Sequence, residues 1–314
     1  MSVPPARILV IKLGALGDIV QAMGAAKAIR DFHRGEQIAL LTTQPYAALM
    51  RRAPYFDEVW VDARPGWRDP VGLWRLARRL RAGRFDRVYD LSTRTRSALY
   101  FWLMRRLGGR PEWSGIVRGA SHRQPDTMQR RRMHTLDREA DQLRCAGIPG
   151  PVPPPDMSWA ATDVSRFALP TDYVLLVPGG ALHRPEKRWP LANFIALAER
   201  IAATGLVPVV IGGSAERELG AAIVAAVPAT RDLCGKTEFG DIVALGSGAQ
   251  RAIGNDTGPM HLAVVGGAPA TVLYSAASDP ALTAPRGADV VILQRDNLAD
   301  LPIDVVAATL GLAP

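Results

Sequence analysis

The segment ILVIKLGALGD, residues 8–18, gives the first clear structural signal of the chain. Four apolar residues followed by Gly14 and Gly17 are typical of a buried parallel strand that runs into a tight turn. Apolar and small residues then recur at helical spacing over residues 19–29, and Asp18 stands where a helix N-cap belongs. This order of strand, turn and helix predicts the first unit of a parallel α/β sheet.

The same alternation continues on both sides of a proline-rich segment. Before it, the sequence predicts a basic amphipathic helix at residues 73–81 and strands at residues 37–41, 58–61 and 87–90. After it, helices are predicted at residues 193–203, 216–227 and 260–265, and strands at residues 173–177, 207–211, 252–254, 270–274 and 290–293. The segment PGPVPPP, residues 149–155, cannot continue a helix or a central strand and is predicted to be a linker. We therefore expect two α/β domains, residues 1–150 and 151–314, with the ligand site in the cleft between them.

Composition supports two folded domains of opposite charge. The chain has 314 residues, 48% of them hydrophobic, which is enough for two cores. Residues 1–150 contain 27 Lys and Arg against 14 Asp and Glu, whereas residues 151–314 contain 11 against 16. Residues 64–132 alone hold 18 arginines and five acids, which favours phosphate-bearing ligands or an anionic membrane surface. A solvated arginine-rich face, partly due to codon bias, is the alternative interpretation.

The lengths of the apolar runs and the spacing of the cysteines indicate where in the cell the protein is expected. No run of 18 apolar residues is present, so we expect no membrane-spanning helix. Cys145 and Cys234 lie far apart and form no metal-binding motif, as is typical of a reducing compartment. We expect a cytoplasmic protein in which both cysteines are structural.

The turn KLGALGD, residues 12–18, follows the first strand at the edge where parallel α/β sheets bind ligands. It is not a dinucleotide fingerprint, because its glycine spacing differs and the second strand ends in Thr42-Thr43 instead of an acid. Asp18 is the only carboxylate in the turn. It is either a helix N-cap or a general base that takes the proton from an acceptor hydroxyl, and spacing alone leaves both open.

Two segments of the second half could bind phosphate. In the first, PGGA at residues 178–181 precedes Arg184, Lys187 and Arg188, which predicts a phosphate clamp or, alternatively, a surface loop with unpaired cations. In the second, GNDTGPMHLA at residues 254–263 ends a strand and opens a helix at Gly-Pro, with His261 in the first turn. Free N–H groups at such a helix end suit a pyrophosphate, although a packed, capped histidine is the alternative.

Glu216 follows Gly212-Gly213-Ser214 after another predicted strand. An acid past a strand end can accept hydrogen bonds from a ribose diol. It can equally be an ordinary acidic residue in the first turn of a helix.

Together these segments resemble the family-9 glycosyltransferases, the heptosyltransferases that build the inner core of lipopolysaccharide. The resemblance rests on residues 7–12 with 16–18, on Pro178-Gly179 with residues 187–190, and on residues 256–263. It implies a GT-B fold, in which two Rossmann-like domains with mainly parallel sheets face each other across a cleft. The first domain would take the acceptor and the second the nucleotide-sugar donor. Transfer would invert the anomeric carbon without a metal or cofactor.

The resemblance also implies roles for individual residues. Asp18 looks like the catalytic base and Lys187 like the cation that steadies the donor phosphates. The remaining matched positions would bind the donor: Gly17, Gly180, Glu216 at the ribose, Lys236 in the adenine-side loop at residues 233–237, Asp256 ordering its turn, and Thr257, Gly258 and His261 at the pyrophosphate. Inversion needs one base and positive charge at the leaving diphosphate, which without a metal must come from Lys187 and helix N–H groups.

The implied donor is ADP-heptose and the implied acceptor a lipid A–Kdo core, with peripheral contact to the inner membrane. The chain departs from the family at residues 275–280, SAASDP, and its region 64–132 matches no specific member, so neither identifies a sugar hydroxyl or an acceptor. The alternatives are a family-9 transferase for another nucleotide sugar, a catalytically idle family member that binds or assembles, and a nicotinamide-dependent Rossmann oxidoreductase. No nucleic-acid-binding module is recognised.

Overall fold

The computed structural model describes residues 5–66, 68–108, 110–181 and 184–312. The chain forms two compact units, the first ending at Trp159 and the second beginning at Ala160. The proline-rich segment thus belongs to the first unit, where the carbonyl oxygen of Pro153 lies so close to Gly24 that a Cβ there would be 2.1 Å away. The roles assigned to the two domains stay predictions.

The first unit is built on a six-stranded parallel sheet in the order β3-β2-β1-β4-β5-β6. Its strands are β1 (Arg7–Ile11), β2 (Gln37–Thr42), β3 (Glu58–Val61), β4 (Arg87–Asp90), β5 (Glu112–Gly115) and β6 (His122–Arg123). Its helices are α1 (Leu16–Gln21), α2 (Met23–Phe32), α3 (Gln44–Met50), α4 (Pro70–Ala82), α5 (Thr95–Arg106), α6 (Met128–Arg132) and α7 (Thr135–Cys145). The four predicted strands are confirmed. The helix predicted at residues 19–29 is two helices, which meet at Ala22.

Alternate residues of the central strands face the two sides of this sheet. One side packs under α4 and α5, where Leu9, Leu41 and Val88 contact Leu80 and Tyr100. On the other side lies α2, whose C-cap residue His33 bonds the hydroxyl of Tyr89 at 2.8 Å. The order reverses at β1 and β4, so the carboxyl ends of these two strands form a switch point, where open α/β sheets bind ligands.

The second unit repeats the architecture with the strand order β12-β11-β10-β7-β8-β9, again all parallel. Its strands are β7 (Tyr173–Val177), β8 (Val207–Val210), β9 (Arg231–Asp232), β10 (Arg251–Asn255), β11 (Ala270–Tyr274) and β12 (Val290–Gln294). Its helices are α8 (Leu191–Ala203), α9 (Arg217–Ala226), α10 (Phe239–Gly248), α11 (Gly258–Val265), α12 (Pro280–Thr283) and α13 (Ile303–Ala308). The switch point here lies at the carboxyl ends of β7 and β10. In the described ranges, no helix is long and apolar enough to cross a membrane.

Candidate active site

Asp18 lies at the switch point of the first unit but is not the helix N-cap. The N-cap of α1 is Ala15, and Asp18 is the third helical residue. Its Oδ2 accepts hydrogen bonds from the Ala15 N–H at 3.0 Å and from the Arg94 guanidinium at 3.3 Å. A Cβ at Gly14 would be 2.2 Å from this oxygen, so the carboxylate occupies space that only glycine leaves open. Asp18 therefore caps the helix from within, and Oδ1 has no hydrogen bond among the described residues.

Asp18 lines a polar pocket of about 230 Å³ at the carboxyl ends of β1 and β4. Charged groups dominate its wall: Lys12, Asp18, Arg94, Arg130, Arg138 and Glu139. Of the many arginines between residues 64 and 132, the structure thus brings Arg94 and Arg130 to the candidate base. Sequence reasoning could not single these two out, because Arg94 caps α5 and Arg130 lies on α6, far along the chain.

The floor of this pocket contains a buried ion pair. The Lys12 ammonium donates to Glu139 Oε1 at 2.6 Å and to the Leu91 carbonyl at 3.2 Å. Both side chains are about 95% buried, at 6% and 5% exposure. Burial raises the pKa of Glu139, and the neighbouring Lys12 opposes that rise. The other oxygen of Glu139, Oε2, is buried and has no hydrogen-bond partner in the described part of the chain.

Arg130 is held rigidly beside the pocket. Its guanidinium donates to Gln124 Oε1 at 2.6 Å, to Thr93 Oγ1 at 3.1 Å and to Asp126 Oδ1 at 3.3 Å. Arg94 differs, because its side chain is 67% exposed and its one described carboxylate contact is Asp18. One arginine is therefore fixed and the other can move towards a bound anion.

A second cavity, of about 730 Å³, lies at the carboxyl ends of β1, β2 and β3 and shares Gly14 and Arg94 with the first. Asp62 belongs to its wall, where the buried carboxylate is bound by Arg96 at 2.7 and 2.9 Å. Burial acts to raise the pKa of Asp62, but the hydrogen bonds from Arg96 and Tyr100 outweigh it and the pKa is lowered. This network stiffens the wall of the cavity.

Lys187 and Asp256 are brought together in the second unit. Lys187 Nζ donates to Asp256 Oδ2 at 2.6 Å, and the side chains are 14% and 12% exposed. Burial acts to raise the pKa of Asp256, yet the hydrogen bond and charge of Lys187 lower it below the ordinary value. The alternative of unpaired cations is wrong for Lys187 and for Arg184, which pairs with Glu186 at 3.2 Å and donates to the Ala277 carbonyl at 2.7 Å. Arg188 donates to the Gly180 carbonyl at 2.6 Å and has no carboxylate partner among the described residues.

Asn255, the last residue of β10, ties three loops of this site together. Its amide nitrogen donates to the carbonyls of Pro178 and Gly179 at 2.8 and 3.1 Å. Its amide oxygen accepts the N–H of Trp189 at 2.9 Å. Trp189 in turn is 2% exposed and anchors the segment that carries Lys187. A polar residue directly after the run Ala252-Ile253-Gly254 was the available signal for Asn255.

The start of α11 has the predicted form. Thr257 is its extended N-cap, no side chain caps the described helix end, and Gly258 and Pro259 are its first residues. His261 follows in the first turn and is 6% exposed. The first N–H groups of α11 have no partner within the helix, and they follow Asp256, the partner of Lys187, closely in the chain.

Glu216 closes the same edge of the second sheet. It ends a 3-10 turn, Ser214–Glu216, and is the N-cap of α9 instead of a residue in its first turn. Its Oε2 accepts the Gly213 N–H at 2.8 Å, and a Cβ at Gly179 would be 2.7 Å from its Cγ. Lys236 lies in the turn after β9, is exposed, and donates to the Asp232 carbonyl at 2.8 Å. In the ranges the structure describes, no three His, Cys, Asp or Glu side chains cluster as metal ligands do.

Residues 73–303 match the family model described as glycosyltransferase family 9 (heptosyltransferase). That match covers well over half of the chain. The chain belongs to glycosyltransferase family 9. The resemblance inferred from the sequence is thereby confirmed, the protein is a glycosyltransferase, and the nicotinamide oxidoreductase alternative is wrong.

Individual relatives of this family-9 transferase are distant in sequence. It is 26% identical to lipopolysaccharide heptosyltransferase 2 of Salmonella typhimurium, over 89% of this chain and 85% of that protein. It is similar in structure to the E. coli ADP-heptose LPS heptosyltransferase II (TM-score 0.76, 22% identity, 97% of each chain). It is also similar to the E. coli heptosyltransferase WaaC with ADP (TM-score 0.76, 20% identity, 97% of this chain and 99% of that one). These structures confirm the GT-B fold.

Proposed function

We propose that this transferase moves heptose from ADP-heptose to an inner-core lipopolysaccharide acceptor, with inversion and without a metal, at the cytoplasmic face of the inner membrane. The observation that carries the proposal is Asp18, a carboxylate in a pocket lined by cations, whose Oδ1 has no hydrogen bond to any described residue. The heptosyltransferase names of the relatives support the sugar and acceptor class.

Asp18 acts as the general base in this proposal. An acceptor hydroxyl in the pocket donates to Oδ1 while Arg94 and the Ala15 N–H hold Oδ2, which keeps the carboxylate oriented. As the acceptor oxygen bonds to the anomeric carbon, the bond from that carbon to the diphosphate oxygen breaks on the opposite face. The hydroxyl proton passes to Asp18, and ADP leaves with the bonding electron pair. A positioned base of this kind contributes about 10²- to 10⁴-fold in rate.

Cations around the base select an anionic acceptor. Arg94, Arg130 and Arg138 line the pocket, so their summed charge attracts the carboxylate of a Kdo sugar or a phosphate. Arg94 is the exposed member and closes on the bound anion, while Arg130 supplies a fixed charge.

The donor diphosphate binds at the carboxyl edge of the second sheet. Lys187 and the first N–H groups of α11 stabilise the charge that develops on the leaving group. Asp256 orients Lys187 through their 2.6 Å contact until the phosphate takes its place. Thr257, Gly258 and His261 hold the pyrophosphate, and Gly17 and Gly180 leave room for the donor. Glu216 accepts the ribose hydroxyls and Lys236 lies on the adenine side.

A nucleotide-sugar screen tests the proposal. We expect ADP-heptose to raise the melting temperature more than GDP- or UDP-sugars at the same concentration, because the ligand with the lowest Kd stabilises the folded state most. A ligand at a hundred times its Kd stabilises the folded state by about 2.7 kcal/mol. With a lipid A–Kdo acceptor it should also yield ADP and a heptosylated product. If another nucleotide sugar stabilises the protein more, the chain is a transferase that uses a different donor. If a nucleotide sugar binds but no acceptor is glycosylated, the chain is a catalytically idle family member.

A further inference from the structure

Helices α4 and α5 expose apolar side chains on the outer side of the first unit. We name this surface the α4/α5 face and define it by Val71, Trp74, Arg78, Trp102, Arg106 and Leu107. Its apolar members are exposed by 55% (Val71), 57% (Trp74), 49% (Trp102) and 43% (Leu107). Seven large apolar side chains are exposed in the described part of the chain, and these are four of them. Such clustering is typical of an interaction site, since exposed apolar residues are otherwise scattered.

The exposed stripes of the two helices form one surface. Both helices cover the same side of the sheet, where Leu76 and Leu80 of α4 and Phe101 and Met104 of α5 enter one core cluster. Arg81 Nε of α4 donates to the Leu107 carbonyl at the end of α5 at 2.7 Å, which joins the carboxyl ends of the helices. The apolar side chains of α4 and α5 are therefore available to one partner.

Both charged members of this face, Arg78 and Arg106, are positive. Neither α4 nor α5 contains an Asp or Glu, and the two helices carry seven arginines, at residues 75, 78, 79, 81, 96, 105 and 106. Of these, Arg96 is paired with the buried Asp62, and the acid next to the face is Asp69, the N-cap of α4. In the described ranges no carboxylate lies within 4.0 Å of Arg78 or Arg106, and the Arg78 guanidinium lies 5.4 Å from the Trp74 ring centroid. An anionic bilayer surface has a layer of phosphates above an apolar boundary. The arginines without a carboxylate partner suit the phosphates, and the exposed indole rings suit the apolar boundary.

We propose that the α4/α5 face binds anionic phospholipid bilayers. Indole and aliphatic side chains enter the interfacial layer while the arginines meet lipid phosphates. A nucleic acid would use the arginines but leave Val71 and Leu107 without a partner. This inference rests on the proposed function in one respect: membrane binding would bring a lipid-anchored acceptor to Asp18. Arg94, the N-cap of α5, lines the Asp18 pocket, so the helix that carries Trp102 starts at the rim of that pocket.

Vesicle co-sedimentation of the full chain, without donor or acceptor, tests this proposal. We expect the wild type to pellet with vesicles of phosphatidylcholine and phosphatidylglycerol at low salt, and not with phosphatidylcholine alone. The double variant Trp74→Ala/Trp102→Ala should bind at least ten-fold more weakly and lose the blue shift of tryptophan fluorescence on binding. Its melting temperature should stay near that of the wild type, because both side chains are about half exposed.

The matched control is Phe32→Ala/Arg34→Gln at the end of α2, on the other side of the sheet, and it should bind vesicles like the wild type. The proposal is overturned if the wild type stays in the supernatant, if the control loses as much binding, or if binding is salt-sensitive but survives the loss of both tryptophans. Asp18→Asn should still bind vesicles. Turnover thus tests the proposed function, and vesicle binding tests the α4/α5 face, so that one can fail without the other.

Discussion

The two sheets place their candidate charged groups in opposite settings. In the first unit, Asp18 stands at a pocket rim and its cationic partner Arg94 is 67% exposed. In the second unit, Lys187 and Asp256 bond each other at 2.6 Å and are only 14% and 12% exposed. An exposed pair contributes little to folding, whereas removing one partner of a buried pair leaves an uncompensated charge. Substitution of Asp18 should therefore change activity but hardly the free energy of unfolding, whereas substitution of Lys187 should change both.

The largest expected effect is that of Asp18→Asn. Loss of the base should lower kcat by about 10²- to 10⁴-fold, because the amide cannot take the hydroxyl proton. Its oxygen can still accept the Ala15 N–H, so the free energy of unfolding should change by about 0.5 kcal/mol or less. Turnover with saturating donor, donor affinity and thermal melting measure the three effects.

Asp31→Asn is the control, since Asp31 pairs with Lys27 on the surface of α2 and is 48% exposed. It should leave all three quantities unchanged. Near wild-type turnover of Asp18→Asn would show that Asp18 only stabilises the start of α1.

Lys187→Ala tests the coupled site. It leaves Asp256 buried without its cation, so we expect a loss of about 3–5 kcal/mol in unfolding free energy together with weaker donor binding or slower turnover. The double variant Lys187→Met/Asp256→Leu removes both charges and should recover much of the stability without recovering activity. If the single variant melts like the wild type, the ion pair is not a structural element; if it also turns over normally, Lys187 has no role at the donor.

The sequence predicted the sheets well where apolar runs were continuous. The strands at residues 58–61, 87–90, 173–177 and 270–274 were predicted to the residue. The last two are fully buried and almost entirely apolar, as is typical of central parallel strands. Helix α10 was missed because its sequence, FGDIVALGSG, contains three glycines that disfavour a helix in isolation. Helix α5 was missed because its apolar residues 98–104 run almost continuously and give no clear helical period.

The candidate site residues that the sequence suggested lie shortly after a strand, and the charged groups that the structure adds to them lie on other elements. Asp18, Glu216 and Asp256 each lie shortly after a strand, so topology alone suggested them. Glu139, on α7, reaches Lys12 across 127 positions of sequence, and no local pattern marks it. The sequence alone did not distinguish Arg130 from the other arginines of residues 64–132, and only the fold shows that it lines the Asp18 pocket. Long-range packing supplied the information that spacing lacked.

The smallest expected effect concerns Asp90, a buried carboxylate at the end of β4 that has no ion pair among the described residues. Burial raises its pKa to about 6, although hydrogen bonds from Ser97 and from the N–H groups of Thr93 and Ser92 act to lower it. The folded state therefore binds this proton more tightly than the unfolded state, whose pKa is the ordinary 3.8. As pH rises from about 4 to 6 the folded state loses stability relative to the unfolded one, and the loss is complete above that range.

Asp90→Asn should remove this dependence while its amide oxygen keeps the backbone hydrogen bonds. We expect the variant to be more stable than the wild type by about 1–3 kcal/mol at pH 8, and by much less at pH 4. Denaturant unfolding at the two pH values measures the difference. Asp256 should behave in the opposite way, because Lys187 lowers its pKa and its contribution to stability is lost as pH falls below the ordinary carboxylate range. Were Asp90→Asn equally stabilising or destabilising at both pH values, the carboxylate would be ionised through the whole range, and Asp90 would not differ from Asp256 in the direction of its pKa shift.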